Sequence, residues 1–334
     1  MNGSVFFPKK DIRLTHSATV VGKTEKEGPL GKFFDFAFDE DVPADDTWEK
    51  AEIEAVRLCV STLIKKASLR DDDIGAVFAG DLMNQCTAES FGHSDTHIPY
   101  FGLYGACSTY AEGAILAAAA IEAGLTDWAV FASSSSFATA ERQYRTPLEY
   151  GSQRSPTAQC TVTGAGASLL EANASGSIRV EAGLAGRIIK SGISDITNMG
   201  AAMAPAAADT LKRFFAVTDT KPGEYDMIVT GDLGHEGLSI LRELLEKDGI
   251  GTGDRLTDCG VLIFDRETQD VHCGGSGCGC SAVVTGAYLT KLMEDGAINS
   301  LILVGTGALM SPLTVMQKLD IPSIAHLICF RRQK

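Results

Sequence analysis

The stretch that decides the fold is "GACSTYAEGAILAAAAIEAGLTDWAVFASS", residues 105–134. The run from Cys107 to Gly124 is rich in small residues and has no polar face, which predicts a helix buried on all sides, and an apolar strand follows it. The stretch aligns without gaps on "GCGCSAVVTGAYLTKLMEDGAINSLILVGT", residues 277–306, with Gly124 on Gly296. The chain therefore contains a repeated helix–strand unit.

A second pattern repeats in the same order in each part of the chain. A helical pattern is followed by an apolar strand that ends in Gly-Asp-Leu, in residues 47–69 and 71–82 and again in residues 203–220 and 225–233. Alternating helices and strands favour an α/β fold with a largely parallel sheet covered by helices. We therefore expect two halves, 1–164 and 165–334, that are related by a pseudo-twofold axis, with two sheets enclosing a central helix pair.

Composition limits the classes of function. The 334 residues carry a formal net charge of -14, which argues against a nucleic acid partner because phosphates attract clustered Lys and Arg. The N-terminus lacks the apolar core of a secretory signal, and no apolar stretch is long enough to span a bilayer, so we expect synthesis in the cytoplasm. Nine irregularly spaced cysteines predict free thiols instead of a disulfide framework.

Cys107 is the first candidate functional residue, because it opens the predicted buried helix. The positive end of the helix dipole and its unpaired N–H groups should lower the pKa of the thiol and make the thiolate a better nucleophile. The position also suits a contact for a bound ligand. The alternative is a small buried side chain, since free cysteine is among the most buried residue types.

Two similar halves, each with a strand before a buried helix, and a cysteine opening the first of these helices, resemble the thiolase superfamily, which includes thiolases and ketoacyl synthases. The chain is more closely similar to the stage V sporulation protein AD family of endospore-forming bacteria. The resemblance implies a thiolase-like fold of five layers, α-β-α-β-α. The segments that carry it are "EKEGPLG" (25–31), "AGDLMNQ" (79–85), "GACS" (105–108), "TAERQYRTPLEYG" (139–151), "VTGAGA" (162–167), "NMGAAMAPAAADT" (198–210), "GGSGCGCSAVVTGA" (274–287), "GTGALMSP" (305–312) and "IPSIAH" (321–326).

The chain departs from the superfamily at the positions of its catalytic bases. Condensing enzymes pair the cysteine with a His or Asn in a glycine-rich loop, and Ser276 stands there in this sequence. The second polar group of the superfamily corresponds to Gly231 or Asp232, with His235 a few residues later. Condensation needs a nucleophile, a base and an oxyanion hole. The resemblance therefore implies a thiolase fold whose pocket has been turned to binding, with no enzymatic activity and no cofactor.

The family resemblance also implies a ligand and partners. It predicts binding of dipicolinic acid (pyridine-2,6-dicarboxylate), with or without calcium, as part of the system that moves this acid into the spore and releases it in germination. It further predicts docking on integral membrane proteins encoded with this chain, a peripheral position on the spore inner membrane, and a homodimer formed along the strand in residues 127–136. The alternatives are an acyltransferase or condensing enzyme with Cys107 as acyl nucleophile, and a structural adaptor with a vestigial pocket.

Six residues are predicted to contact the ligand. A helix N-terminus binds an anion through its N–H groups, and hydroxyls add neutral donors. Arg142 and Arg145 are cations suited to a carboxylate, and the alternative is a salt bridge to Glu141 or Glu149. The predicted contacts are Cys107, Ser108, Thr109, Ser276, Arg142 and His235.

No metal site is predicted. Cys273, Cys278 and Cys280 lie close together in the sequence, with His272 beside them. Their spacing fits no standard zinc site, which usually needs recognisable ligand pairs. A crowded helix crossing built from small residues is the favoured interpretation of this segment.

Overall fold

A computed structural model describes residues 5–40, 47–144 and 154–333 of the chain. The repeated stretch folds as expected, with a helix and then a strand in each copy. The strands are β1 (Ile12–Val21), β2 (Phe36–Ala37), β3 (Ala76–Gly80), β4 (Tyr100–Gly102), β5 (Trp128–Ser135), β6 (Cys160–Thr161), β7 (Gly164–Ala172), β8 (Ile178–Leu184), β9 (Ile189–Lys190), β10 (Met227–Thr230), β11 (Leu256–Asp258), β12 (Gly275–Ser276), β13 (Ser300–Ala308) and β14 (Pro322–Arg332).

The helices begin and end close to the predicted positions. The second copy of the repeated helix is continuous but contains a π-helical turn, Thr285–Leu289, between α9 and α10. The α-helices are α1 (Lys23–Lys26), α2 (Trp48–Ala67), α3 (Thr87–Gly92), α4 (Thr109–Glu122), α5 (Phe137–Tyr144), α6 (Met199–Thr218), α7 (Gly234–Lys247), α8 (Cys259–Leu262), α9 (Cys278–Val284), α10 (Thr290–Glu294) and α11 (Pro312–Met316).

Strand order is the same in the two halves. The first half has the order β4-β3-β5-β7-β1 and the second has the order β11-β10-β13-β14-β8. The two sheets are joined where β1 and β8 pair antiparallel, with Arg13 opposite Arg179. β7 and β14 run antiparallel to their neighbours. The sheets are therefore mixed and not largely parallel, because an antiparallel neighbour needs no long helical crossover and β14 follows β13 through a connection that contains only the short helix α11.

The pairing of the strands favours a division between the halves later in the chain than the predicted residue 164. Gly164 is the first residue of β7, and β7 pairs with β1 and β5 of the first sheet. The first strand of the second sheet is β8. We therefore propose that the halves meet in residues 173–177, between Ala172 and Ile178.

Helices α4 and α9 form the middle layer, as predicted. α4 contacts β3 and β5 on one side and β13 and β14 on the other, while α9 contacts β1, β5 and β7. Small side chains permit this approach: a Cβ on Gly305 would lie 2.7 Å from the Cβ of Ala111. α2 covers the outer face of the first sheet, and α6 covers that of the second. α4 is not buried on all sides, because Leu116 is 38% exposed.

The strand predicted to form a dimer interface lies inside the sheet. β5 is paired along its length with β3 on one side and with β7 on the other, so its backbone groups are not available to a second chain. Among the strands that the structure describes, β4 forms the edge of the first sheet and pairs only with β3. Phe101 of β4 is 46% exposed. This fold therefore disfavours pairing of β5 with a second chain, and the homodimer itself stays a prediction.

Among the helices that the structure describes, none combines the length and the apolar character needed to cross a bilayer.

Candidate functional site

Four segments converge on the end of the central helix layer. Cys107 lies in a 3-10 turn, Ala106–Ser108, directly before α4, and Ala106 adopts a left-handed φ of 53° to make that turn. Ser276 ends β12, which pairs with β6 and so lies beside Thr161. Asp232 follows β10, and Thr306 lies in the neighbouring strand β13. Residues far apart in sequence are thus brought to one place.

A cavity of about 250 Å³ opens at Cys107 and Ser276. One side of its wall comes from α5 and the other from the segment before α6 and the end of β13. Most lining side chains are apolar, which suits a flat organic ligand held by few polar groups. The described lining residues are Leu82, Ala106, Cys107, Ala140, Glu141, Tyr144, Ala158, Gln159, Thr161, Ile196, Thr197, Met199, Ser276, Gly277, Ala308 and Met310.

Behind the cavity, a fully buried carboxylate organises the polar groups. The Ser276 hydroxyl donates to Asp232 Oδ2 at 2.8 Å, and the Gly277 N–H donates to the same oxygen at 3.2 Å. The Thr306 hydroxyl donates to Oδ1 at 2.7 Å. Gln159 Nε2 donates to the backbone oxygen of Asp232 at 2.6 Å, which holds the turn in place. Ser276 is thus committed to Asp232 and is no base for Cys107.

The thiol of Cys107 is not activated as the helix-dipole argument predicted. Cys107 is 7% exposed, and its Sγ lies 4.0 Å from Ser276 Oγ. Burial raises the pKa of the Cys107 thiol well above its ordinary value, and the nearby Asp232 carboxylate raises it further. Desolvation disfavours the thiolate more than the helix end favours it. The prediction of a lowered pKa is therefore wrong.

Burial also raises the pKa of Asp232, although the hydrogen bonds from Cys107, Thr306 and Ser276 act in the opposite direction. A carboxylate that leaves water loses its hydration, and neutral donors replace only part of it. Asp232 therefore binds a proton more readily than an exposed aspartate.

Ser108 and Thr109 do not face the cavity with free hydroxyls. The Ser108 hydroxyl donates to the Gly105 oxygen at 2.7 Å, and the Thr109 hydroxyl donates to the Ala106 oxygen at 2.7 Å. Both side chains are fully buried. Each hydroxyl stabilises the turn that precedes α4, so neither is placed as a ligand donor.

Arg142 lies outside the cavity. Its guanidinium forms an ion pair with Glu49 and lies 5.3 Å from the centroid of the Trp48 ring. The salt bridge expected from the sequence was with Glu141 or Glu149, and the partner in the structure is Glu49. Arg145 and Glu149 are outside the described residues.

His235 is also absent from the cavity wall. It is the second residue of α7, and its N–H donates to the Cys273 oxygen at 2.8 Å. Burial lowers the pKa of its imidazole, and the charge of Arg266 lowers it further. Of the six predicted contacts, Cys107 and Ser276 are the two described residues that line the cavity.

The cysteine-rich segment has ordinary packing roles. Cys278 Sγ donates to the Ala106 oxygen at 3.0 Å, which ties α9 to the turn of Cys107. Cys273 Sγ accepts the N–H of Glu236 at 3.2 Å. Three potential metal ligands do come together elsewhere among the described residues, Asp71, Asp72 and His97, but this group lies at the surface and acidic surface groups are common without an ion.

Sequence reasoning placed Asp232 near the site but did not select it, and it missed Gln159. The signal for Asp232 was the repeated Gly-Asp-Leu, since the equivalent Asp81 is also fully buried. A charged residue directly after a buried strand, present in both halves, indicates a structural or functional carboxylate. No sequence signal marked Gln159, because its role depends on the backbone of distant residues.

Solved structures share the fold of this chain. OleA of Xanthomonas campestris, crystallised with cerulenin, superposes with a TM-score of 0.60 at 15% sequence identity and covers 96% of this chain and 97% of that chain. The 3-oxoacyl-[acyl-carrier-protein] synthase III of Aquifex aeolicus VF5 superposes with a TM-score of 0.57 at 11% identity and covers 96% and 99%. These similarities confirm the predicted thiolase-like fold.

Residues 3–331 match the family described as stage V sporulation protein AD. The chain belongs to this family. The family's member from Bacillus subtilis (strain 168) is 41% identical over 321 residues, which are 96% of this chain and 94% of the relative. The predicted family is confirmed, and the chain is a sporulation protein with a thiolase-like fold.

Proposed function

We propose that this stage V sporulation protein AD family member is the dipicolinic acid binding component of the spore's uptake and release system. The observation that carries the proposal is the cavity of about 250 Å³ at Cys107 and Ser276, which keeps the thiolase pocket but holds a serine where a condensing enzyme has its base. Family membership supports a role in the spore.

The chemistry of the cavity supports an aromatic ligand. Leu82, Met199 and Met310 offer apolar surface to a flat ring. Thr161 places a hydroxyl on the same wall, where it can donate to a carboxylate substituent. A mostly apolar pocket with a few polar groups is the usual form of a small-molecule site.

The state of the thiol supports binding without turnover. Acyl transfer needs a thiolate or a base that removes the thiol proton. Burial and Asp232 raise the pKa of Cys107, and the Ser276 hydroxyl, 4.0 Å from the sulfur, donates to Asp232 instead of accepting a proton. We therefore propose that Cys107 contacts the ligand and is not an acyl nucleophile.

The proposal includes partners. We propose that the chain docks on integral membrane proteins of the same system, at the spore inner membrane. The measurement is copurification of those proteins with this chain from detergent-solubilised spore membranes. Their loss from the eluate, with the chain itself recovered, would contradict the docking proposal.

Calorimetric titration with dipicolinate tests the ligand. We expect saturable binding at one site per chain. Met310→Trp should weaken it at least tenfold, because the indole fills the cavity, and Cys107→Trp should do the same if that variant folds. Met316→Trp is the matched control, since Met316 is 71% exposed and outside the cavity.

Intact-mass spectrometry after incubation with an acyl-thioester tests the enzyme alternative. A stable mass increase that Cys107→Ala abolishes would favour an acyltransferase or condensing enzyme. If folded wild-type protein shows neither acylation nor dipicolinate binding, the structural adaptor is the remaining one of the three alternatives. Binding that Met310→Trp does not alter would remove the cavity as the site.

A further inference from the structure

Asp232 is a buried carboxylate directly behind the cavity, and the proposed ligand is itself a dicarboxylate. The Asp232 side chain is fully buried, and Ser276 Oγ bridges it to the cavity at a distance of 2.8 Å from Oδ2. A ligand carboxylate that contacts Ser276 therefore comes within two hydrogen bonds of a second negative charge.

The groups that face Asp232 do not neutralise it. Its hydrogen-bond donors are the Ser276 and Thr306 hydroxyls and the Gly277 N–H, which are all uncharged. Cys107 faces it from the turn before α4 and also lacks a positive charge. No Lys or Arg within the described parts of the chain forms an ion pair with this carboxylate.

Other titratable groups near Asp232 are acidic or thiols. Asp258, at the end of β11, is fully buried, and its pKa is raised to about 7 by burial, with a further contribution from the charge of Asp232. Three buried thiols are also near Asp232: Cys259, Cys278 and Cys280. Burial is the largest cause of the raised pKa of each thiol, and the charge of Asp232 is a smaller one. Every charge on these side chains would be negative.

We propose that dipicolinate binding is coupled to proton uptake, with Asp232 as the acceptor of one proton. This inference rests on the proposed dicarboxylate ligand. Two like charges at short distance in a water-poor site repel strongly, and the repulsion is relieved when one carboxylate binds a proton. The proton comes from solvent, and no covalent bond other than the new O–H changes.

Proton uptake also gives Ser276 its role in ligand binding. In the structure the Ser276 hydroxyl donates to Asp232 Oδ2. When Oδ2 carries the proton, it donates to Ser276 Oγ, and the serine hydroxyl is released to donate to the ligand carboxylate. The Ser276 hydroxyl therefore connects the buried acid to the ligand, because it can accept a hydrogen bond from Asp232 and donate one to the ligand carboxylate.

Proton uptake on binding makes the affinity for dipicolinate depend on pH. Because the bound state holds one more proton than the free state, affinity rises as pH falls through the interval between the Asp232 pKa in the complex and its pKa in the free protein. The dissociation constant should change about tenfold per pH unit within this interval.

The test measures protons directly. Dipicolinate is titrated into full-length protein at one pH in phosphate and in Tris, whose ionisation enthalpies differ, and the difference in heat gives the number of protons taken up. We expect about one proton per ligand for wild type and close to none for Asp232→Asn. Glu141→Gln tests the carboxylate on the cavity wall as the alternative acceptor. Glu54→Gln, at an exposed position outside the cavity, is the control that should keep the uptake.

A spectroscopic measurement covers the case in which Asp232→Asn fails to fold. In the infrared difference spectrum of wild-type protein with and without ligand, a protonated-carboxyl band should appear, and carbon-13 labelling of aspartate should shift it. Binding without proton uptake, uptake that persists in Asp232→Asn, or uptake lost only in Glu141→Gln would each overturn the assignment. Absence of any dipicolinate binding would instead contradict the proposed function.

Discussion

At the residue scale, Cys107 combines a position that favours reactivity with surroundings that suppress it. It precedes the first turn of α4, at the positive end of the helix dipole. It is also 7% exposed and next to the Asp232 carboxylate. Desolvation and a neighbouring negative charge both disfavour the thiolate, and a partial helix-end charge does not offset them.

We predict that Cys107 reacts with iodoacetamide only at a pH above that needed for an ordinary thiol. Peptide mapping by mass spectrometry over a pH series gives the midpoint of alkylation, with glutathione as reference. Asp232→Asn should move this midpoint to lower pH, because it removes the negative charge that raises the pKa of Cys107. A wild-type midpoint below that of glutathione would contradict the interpretation of a suppressed thiol.

At the scale of elements, a buried acid connects three of them in the first half. Glu52 of α2 is 3% exposed and accepts hydrogen bonds from Ser134 of β5 at 3.0 Å and from Thr139 of α5 at 2.7 Å. α5 continues to Ala140 and Glu141, which line the cavity. Glu52 thus stabilises the wall of the site from the opposite side of the helix.

Glu52→Gln should change how stability depends on pH. Burial, and next the charge of Asp81, raise the pKa of Glu52 from 4.5 to about 8. The folded state therefore holds the proton more tightly than the unfolded state, so this group's stabilising contribution is complete below about pH 4.5 and is lost as pH rises towards 8.

Urea unfolding at pH 5 and at pH 8.5 measures this effect. Relative to wild type, Glu52→Gln should gain more than about 1 kcal/mol in the free energy of unfolding between the two pH values, because one pKa unit corresponds to about 1.4 kcal/mol. Glu54→Gln is the matched control on the same helix, since Glu54 is exposed. An equal pH response in both variants would remove Glu52 as the cause.

At the scale of the whole molecule, the edge of the first sheet is the candidate surface for self-association. Within the described parts of the chain, no strand pairs with the outer side of β4. Phe101 on β4, and Phe91 and Tyr104 in the flanking segments, are each about half exposed. Unprotected edges with apolar side chains favour pairing with another chain. We propose a homodimer formed along β4, in place of the interface predicted along residues 127–136.

Phe101→Glu should convert the dimer to a monomer, since it places two like charges near the twofold axis. Size-exclusion chromatography with light scattering at micromolar concentration measures the mass. Leu125→Glu is the control, because Leu125 is 65% exposed and lies in the turn after α4. A wild-type monomer under these conditions would contradict the homodimer, and a dimeric Phe101→Glu would contradict the choice of β4.

The duplicated α/β architecture and the central position of the two small-residue helices could be predicted from local periodicity and from an ungapped repeat. The family, and the placement of Ser276 beside Cys107, followed from the resemblance of the quoted segments to known proteins. The alignment of residues 105–134 on 277–306 predicts that the turns before both helices lie together, and both line the cavity.

The three-dimensional fold was needed to show that Asp232 lies behind the cavity, that Arg142 pairs with Glu49, and that β4 and not β5 forms the edge of the first sheet. It also reversed the predicted direction of the Cys107 pKa shift. The physical reason is that ion pairing, strand neighbours and desolvation depend on distances between segments far apart in the chain. Sequence periodicity sets which face of an element is buried, but not which charge is buried beside it.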